Sequence, residues 1–96
     1  MSGNGDSFIL DYYTEAHPEG AEPFDQAHVR LCEAVATAWI VRESGGRAVR
    51  VVKDSQVIYD EEKLNALMDV ISRRGACPGV ATYVIAERVI PEEDNG

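Results

Sequence analysis

Apolar and polar positions change period along this chain, and each change marks a new element. Phe8-Ile9-Leu10-Asp11-Tyr12-Tyr13 is dense in aromatic and β-branched residues and predicts a strand. Glu15 to Pro23 contains two prolines and a glycine, so it breaks that strand into a loop. From Phe24-Asp25 the spacing becomes helical, with Asp25 as N-cap or first-turn acid. Ala27, Leu31, Ala34, Val35, Ala38 and Val41 then form one apolar stripe, and Gly45-Gly46 stops the helix.

Arg47 to Lys53 alternates in part and predicts a second strand. Asp54-Ser55 supplies a tight turn into Gln56-Val57-Ile58-Tyr59, although it lacks the glycine of the strongest hairpin turns. Asp60 caps the next helix, Glu61 and Glu62 occupy its first turn, and Leu64, Leu67, Met68 and Ile71 form its buried stripe. Arg73 and Arg74 suit its C-terminal end, and Gly75 terminates it. Cys77-Pro78-Gly79 is expected to turn the chain into a long last strand, Val80 to Ile90. The expected order is thus β-α-β-β-α-β. It implies an α+β two-layer sandwich of the ferredoxin-like kind, with two helices on one face of a four-stranded antiparallel sheet.

Ninety-six residues make one domain, expected over 7–90, with polar tails at 1–6 and 91–96. A chain this short buries roughly two thirds of its unfolded surface, which leaves little room for a deep enclosed pocket. Charge changes the picture more than size does. Seventeen acids against nine bases give a net charge of -8. Six of the acids fall between Met1 and Val29, a stretch without any Lys or Arg. Such a surface repels phosphate backbones and anionic membranes and attracts basic partners. No apolar run reaches the 18 or so residues needed to cross a bilayer, and the first residues lack the apolar segment of a signal peptide. With only two cysteines, the expectation is a reduced, cytoplasmic protein.

Candidate chemistry thins out on inspection. His28 and Cys32 would share a helix face, but a closed zinc site needs four ligands, and Cys77 and His17 would have to converge from separate loops. Cys32 sits beside the apolar stripe, and no base lies near Cys77 in the sequence, so neither reads as a nucleophile. The carboxylates of the first loop share one solvated setting, whereas acid–base pairs need unlike ones. Gly45-Gly46-Arg47 follows a helix, whereas phosphate loops precede one. RNA-binding strand signatures, a Cys-x-x-Cys metal loop and an arginine-bearing glycine loop are all absent from the sequence. The expectation is therefore no catalytic centre, no metal and no cofactor.

What remains is surface. Helices on one side of a sheet leave its other side open, and Ile9 and Tyr13, Val57 and Tyr59, and Tyr83, Ile85 and Val89 are expected to group on strand faces. The expected function is a small, acidic, non-enzymatic interaction protein. It would bind a basic protein partner, or itself as a homodimer, through Glu15, Glu19, Glu22, Asp25, Tyr13, Tyr59 and Tyr83. One version is an inhibitor of a nucleic-acid-handling protein, of the anti-defence kind that phages use. The alternatives are a small-molecule-binding regulatory domain and a cofactor-free dimeric α+β barrel enzyme, for which Arg50, Tyr12 and His28 would be the first residues to test.

Overall fold

In a computed structural model, which describes residues 7–75 and 79–90, seven elements follow in the order β-β-α-β-β-α-α. They are β1 (Phe8–Tyr13), β2 (Phe24–His28), α1 (Leu31–Glu43), β3 (Arg47–Lys53), β4 (Gln56–Tyr59), α2 (Glu61–Arg73) and α3 (Val80–Val89). The strands form one antiparallel sheet in the order β2-β1-β3-β4. Because β2 and β3 both run antiparallel to β1, they are parallel to each other, and α1 is the crossover between them. The expected segments 1–6 and 91–96 and the turn at Cys77-Pro78 lie outside the described residues.

The α+β class and the four-stranded antiparallel sheet are as expected; the ferredoxin-like order is corrected at two places. Phe24–His28 is a strand rather than the start of the first helix. That helix begins at Leu31 behind Arg30, whose side chain makes no cap bond, so no start signal stands in the sequence where the helix starts. Asp25, read as an N-cap, instead pairs with Asp11 across β1 and β2. The second correction is Val80–Val89, a helix despite its β-branched residues. Tertiary burial overrides propensity here. Thr82, Ala86 and Ile90 recur at four-residue spacing and are fully or almost fully buried.

Packing explains both the helix count and the layering. α1 lies on β1 and β3, α2 lies beside it on β3 and β4, and α3 packs on α1 and α2 rather than on the strands. α1 is therefore covered from two sides. Leu31, Cys32, Ala34, Val35, Ala36, Ala38 and Trp39 are buried, an arc of roughly 200° at 100° per residue. The three alanines let both layers approach closely. Thr37 hydrogen-bonds the Tyr83 hydroxyl at 3.2 Å and Arg30 pairs with Glu87 at 2.9 Å, so α3 runs antiparallel to α1. On the other flank the Trp39 indole N–H donates to Ser72 Oγ at 2.8 Å, and Arg42 meets Asp69 at 3.1 Å. The buried indole donor is thus satisfied. Phe8, Leu10, Ala48 and Val51 close the same core from the sheet.

Two register shifts decide which side chains face that core. One lies opposite Asp11/Tyr12, where Arg50 pairs with Asp11 but Ala48 with Tyr12, leaving Val49 over. The other leaves Ile58 over between Val51↔Tyr59 and Val52↔Val57. Residues directly opposite share a face, so Ala48 and Val51 point inward while Arg50 and Val52 point outward. The same shift separates Val57 from Tyr59, which the sequence placed on one face. The hairpin turn is as expected, with Asp54 and Ser55 both at positive φ, 54° and 66°.

The end of α1 is bound tightly to β1. Gly45 takes φ 95°, and the amides of Gly45 and Gly46 bond the carbonyls of Arg42 and Val41, as in a Schellman closure. A Cβ on Gly46 would lie 2.4 Å from the Tyr13 carbonyl oxygen. Gly46→Ala is therefore expected to lower stability by about 1–3 kcal/mol, read as a lower urea midpoint at unchanged slope; an unchanged midpoint would show that this approach is not a constraint.

Candidate functional site

All three described helices serve one side of the sheet, and the other side carries three distinct rows. The first row crosses every strand: Ala27 on β2 opposes Ile9 on β1, Ile9 opposes Val52 on β3, and Val52 opposes Val57 on β4. Each is apolar, Ala27 and Val57 are exposed, and Val57 keeps 55% of its surface in water. A shallow depression lined by Ser7, Ile9, Asp11, Ala27, Val52, Asp54 and Ser55 lies along it.

The second row is charged. Asp25 opposes Asp11, and Asp11 opposes Arg50, whose Nε is 2.8 Å from Asp11 Oδ2. One guanidinium thus stands in a row with two carboxylates. It is committed to Asp11, and Asp25 remains exposed at the sheet edge. The next row pairs Tyr13 with Arg47, whose guanidinium carbon is 5.8 Å from the Tyr13 ring centre. Arg47 also grips Glu61 through two bonds, at 2.7 and 2.9 Å, and this pairing holds the Glu61 carboxyl below its ordinary range.

The acidic loop, residues 14–23, is fastened at the end of β1 and β2 by a chain of rings. Tyr12 meets Phe24 at 5.7 Å between centres, Phe24 meets His17 at 4.7 Å, and His17 meets Tyr13 edge-on at 4.9 Å. His17 Nε2 donates to the Glu22 carbonyl at 2.7 Å. Glu19 and Glu22 are exposed on this loop near Asp25. The Glu15 side chain turns aside and lies against Gly45 at the end of α1.

Of the residues expected to contact a partner, Tyr13, Glu19, Glu22 and Asp25 cluster at one end of the sheet. Tyr59 does not join them: it is half-buried, packs against the core, and has Lys63 Nζ 5.9 Å from its ring. Tyr83 is on α3, in the outermost helical layer. Ile85 and Val89 likewise lie on that helix and pack against the core, not on a strand face. Arg50 and Tyr12 are on opposite faces of the sheet, and His28 is at the far end of β2. His28 and Cys32 do not share a helix face, because His28 ends β2 while Cys32 lies in the first turn of α1. Among the described residues no group of three or more His, Cys, Asp or Glu side chains is arranged to hold a metal ion, and no helix is long and apolar enough to cross a membrane. Asp11, Phe24, Ala27 and Val52 were missed as surface residues, since only the strand register aligns them with Ile9 and its neighbours.

No family model, curated protein or solved structure matches the chain.

His28 adds a pH dependence. Burial pushes its imidazole below the ordinary 6.5, with Glu33 nearby pulling weakly the other way, and its Nε2 is buried without a hydrogen-bond partner. A depressed folded-state pKa means that the unfolded chain binds the proton more readily. The contribution of neutral His28 is complete above about pH 6.5 and fades as the pH falls below it. The urea midpoint is therefore expected to drop between pH 7.5 and 5.5, and His28→Gln should flatten that drop; an equal slope in the variant would remove His28 as the cause.

Proposed function

We propose that this protein is a non-enzymatic binding module that engages a basic segment of a protein partner through the uncovered sheet face and the acidic β1–β2 loop. The observation that carries the reading is the apolar row Ala27–Ile9–Val52–Val57, which runs across the whole sheet on the side that none of the described helices covers. Apolar rows of this kind, rimmed by charge, are where proteins bury surface against one another. The rim selects the partner. Asp25 presents its carboxylate next to the row, Glu19 and Glu22 present theirs on the loop at the end of the strands, and Arg50 is already held by Asp11. A cationic side chain laid over Asp25 completes that row.

The same charge opposes the other classes of ligand. Nucleic acid would bring phosphates against a chain of net charge -8. Association of two copies would bring together two chains of net charge -8, which repel. A basic surface on a nucleic-acid-handling protein has the required chemistry, and occupying it would inhibit that protein. The shallow depressions in the sheet face and under the loop, among them one lined by Tyr13, His17, Glu19 and Arg47, suit side chains better than an enclosed substrate.

A positional library of fluorescent decapeptides tests the proposal. The protein is expected to select Lys- and Arg-rich sequences, with affinity that falls as salt rises. The triple variant Glu19→Lys/Glu22→Lys/Asp25→Lys should bind the selected peptides at least about tenfold more weakly, since each exposed contact contributes some tenths of a kcal/mol. Glu62→Lys, on α2 beside the opposite sheet edge, should leave binding unchanged. No basic selection, or selection indifferent to the triple reversal, would sink the reading. Val52→Asp, which puts a charge in the apolar row, should weaken binding without unfolding the protein, as Val52 is only partly buried and faces away from the helices; undiminished binding would remove the row from the interface.

A further inference from the structure

We infer that the partner's basic segment binds as an added fifth strand along the outer edge of β2; this rests on the proposed function and specifies its geometry.

The sheet has two edges, β2 and β4, and they differ in kind. β4 is bulged, with Ile58 left over in its pairing with β3. A bulge kinks the edge and spoils the even spacing of outward N–H and C=O groups that a new strand needs. β2 has no such defect. Its five residues pair with β1 in unbroken register, from Phe8↔His28 to Tyr12↔Phe24. Nor does Phe24-Asp25-Gln26-Ala27-His28 contain the Lys, Pro or Gly with which natural edges are blunted. Phe24 to Ala27 are all exposed. Among the described residues no strand pairs with this edge, and a regular edge of this length is a template for main-chain pairing.

Its side chains state what the incoming strand must carry. Asp25 and Ala27 point to the uncovered face with Asp11 and Ile9, whereas Phe24, Gln26 and His28 point to the helix side with Tyr12, Leu10 and Phe8. On one face, therefore, a new residue would lie beside Asp25, whose cross-strand neighbour Asp11 has already engaged Arg50. A Lys or Arg fits there. On the other face a neighbouring residue would lie beside Phe24, which is 48% exposed although it belongs to the aromatic chain with Tyr12 and His17. An apolar side chain fits there. The segment that satisfies both is extended, with cationic and apolar residues in alternation. A second copy of β2 does not qualify, because Phe24 to His28 contains no Lys or Arg to set beside Asp25.

The test uses the intact protein and a blocked heptapeptide of alternating Lys and Val, followed by amide hydrogen exchange and NMR shifts. At saturation the outward amides of Phe24 to His28 should exchange at least about tenfold more slowly, with β4 unaffected. The same peptide with every backbone amide N-methylated keeps its charges but cannot donate to the edge, and it should bind at least about tenfold more weakly. Equal binding of both peptides would overturn strand addition while leaving the acidic surface its role. Protection on β4 instead of β2 would overturn it as well. Protection of β2 that grows with protein concentration in the absence of peptide would give the edge to a second copy and end the inference. If neither peptide binds at millimolar concentration, the proposed function falls with it.

Discussion

The burial of α1 on two sides is the constraint from which the rest of this structure follows. A helix that lies on the sheet usually shows one apolar stripe and one wet face. α1 has almost no wet face, and only Glu43 within it is exposed. Its alanines at 34, 36 and 38 bring the strands close on one side and α3 close on the other. With α2 beside it and α3 above it, every helix is used on one side of the sheet. Among the described residues no element covers the other side.

That uncovered side is ordered by the strands rather than left to chance. The bulge at Val49 sets Arg50 and Val52 outward while Ala48 and Val51 enter the core, and the one at Ile58 sets Val57 outward and Tyr59 inward. Without the first shift, Ala48 and Arg50 would share a face, and a guanidinium would be driven into the helices at a cost of several kcal/mol. With it, Arg50 meets Asp11, and an apolar row and a charged row run side by side over the sheet. The loop acids are then brought to the end of these rows by the ring contacts of His17, Phe24 and Tyr13.

Much of this could be read from residues alone, and the failures have physical causes. The α2 helix was legible because its signals agree: Asp60 accepts a bond from the Lys63 amide at 2.9 Å, Leu64, Met68 and Ile71 are fully buried, and Gly75 takes φ 83° just past the end. The Asp54-Ser55 hairpin and the loop at Glu15–Pro23 were legible for the same reason. β2 was not. Its residues bury little, so they leave no hydrophobic period, and only pairing with β1 makes them a strand. α3 was misread because valines and isoleucines favour strands in isolation, whereas here Thr82, Ala86 and Ile90 have a helical core to fill. At the candidate site, the acids and Tyr13 were visible as residue types. The row that joins Ala27 to Val57 was invisible, since it exists only in the register of four strands.

Native-state amide hydrogen exchange across the whole chain tests the layered account most directly, because it ranks every element by the free energy needed to open it. The account predicts that α1 and the central strands β1 and β3 exchange only through global unfolding, while the outward amides of β2 exchange fastest among the strand residues. Exchange from α1 as rapid as from α3, or full protection along β2 in dilute protein, would contradict the claim that α1 is enclosed from both sides and that the sheet keeps an open flank.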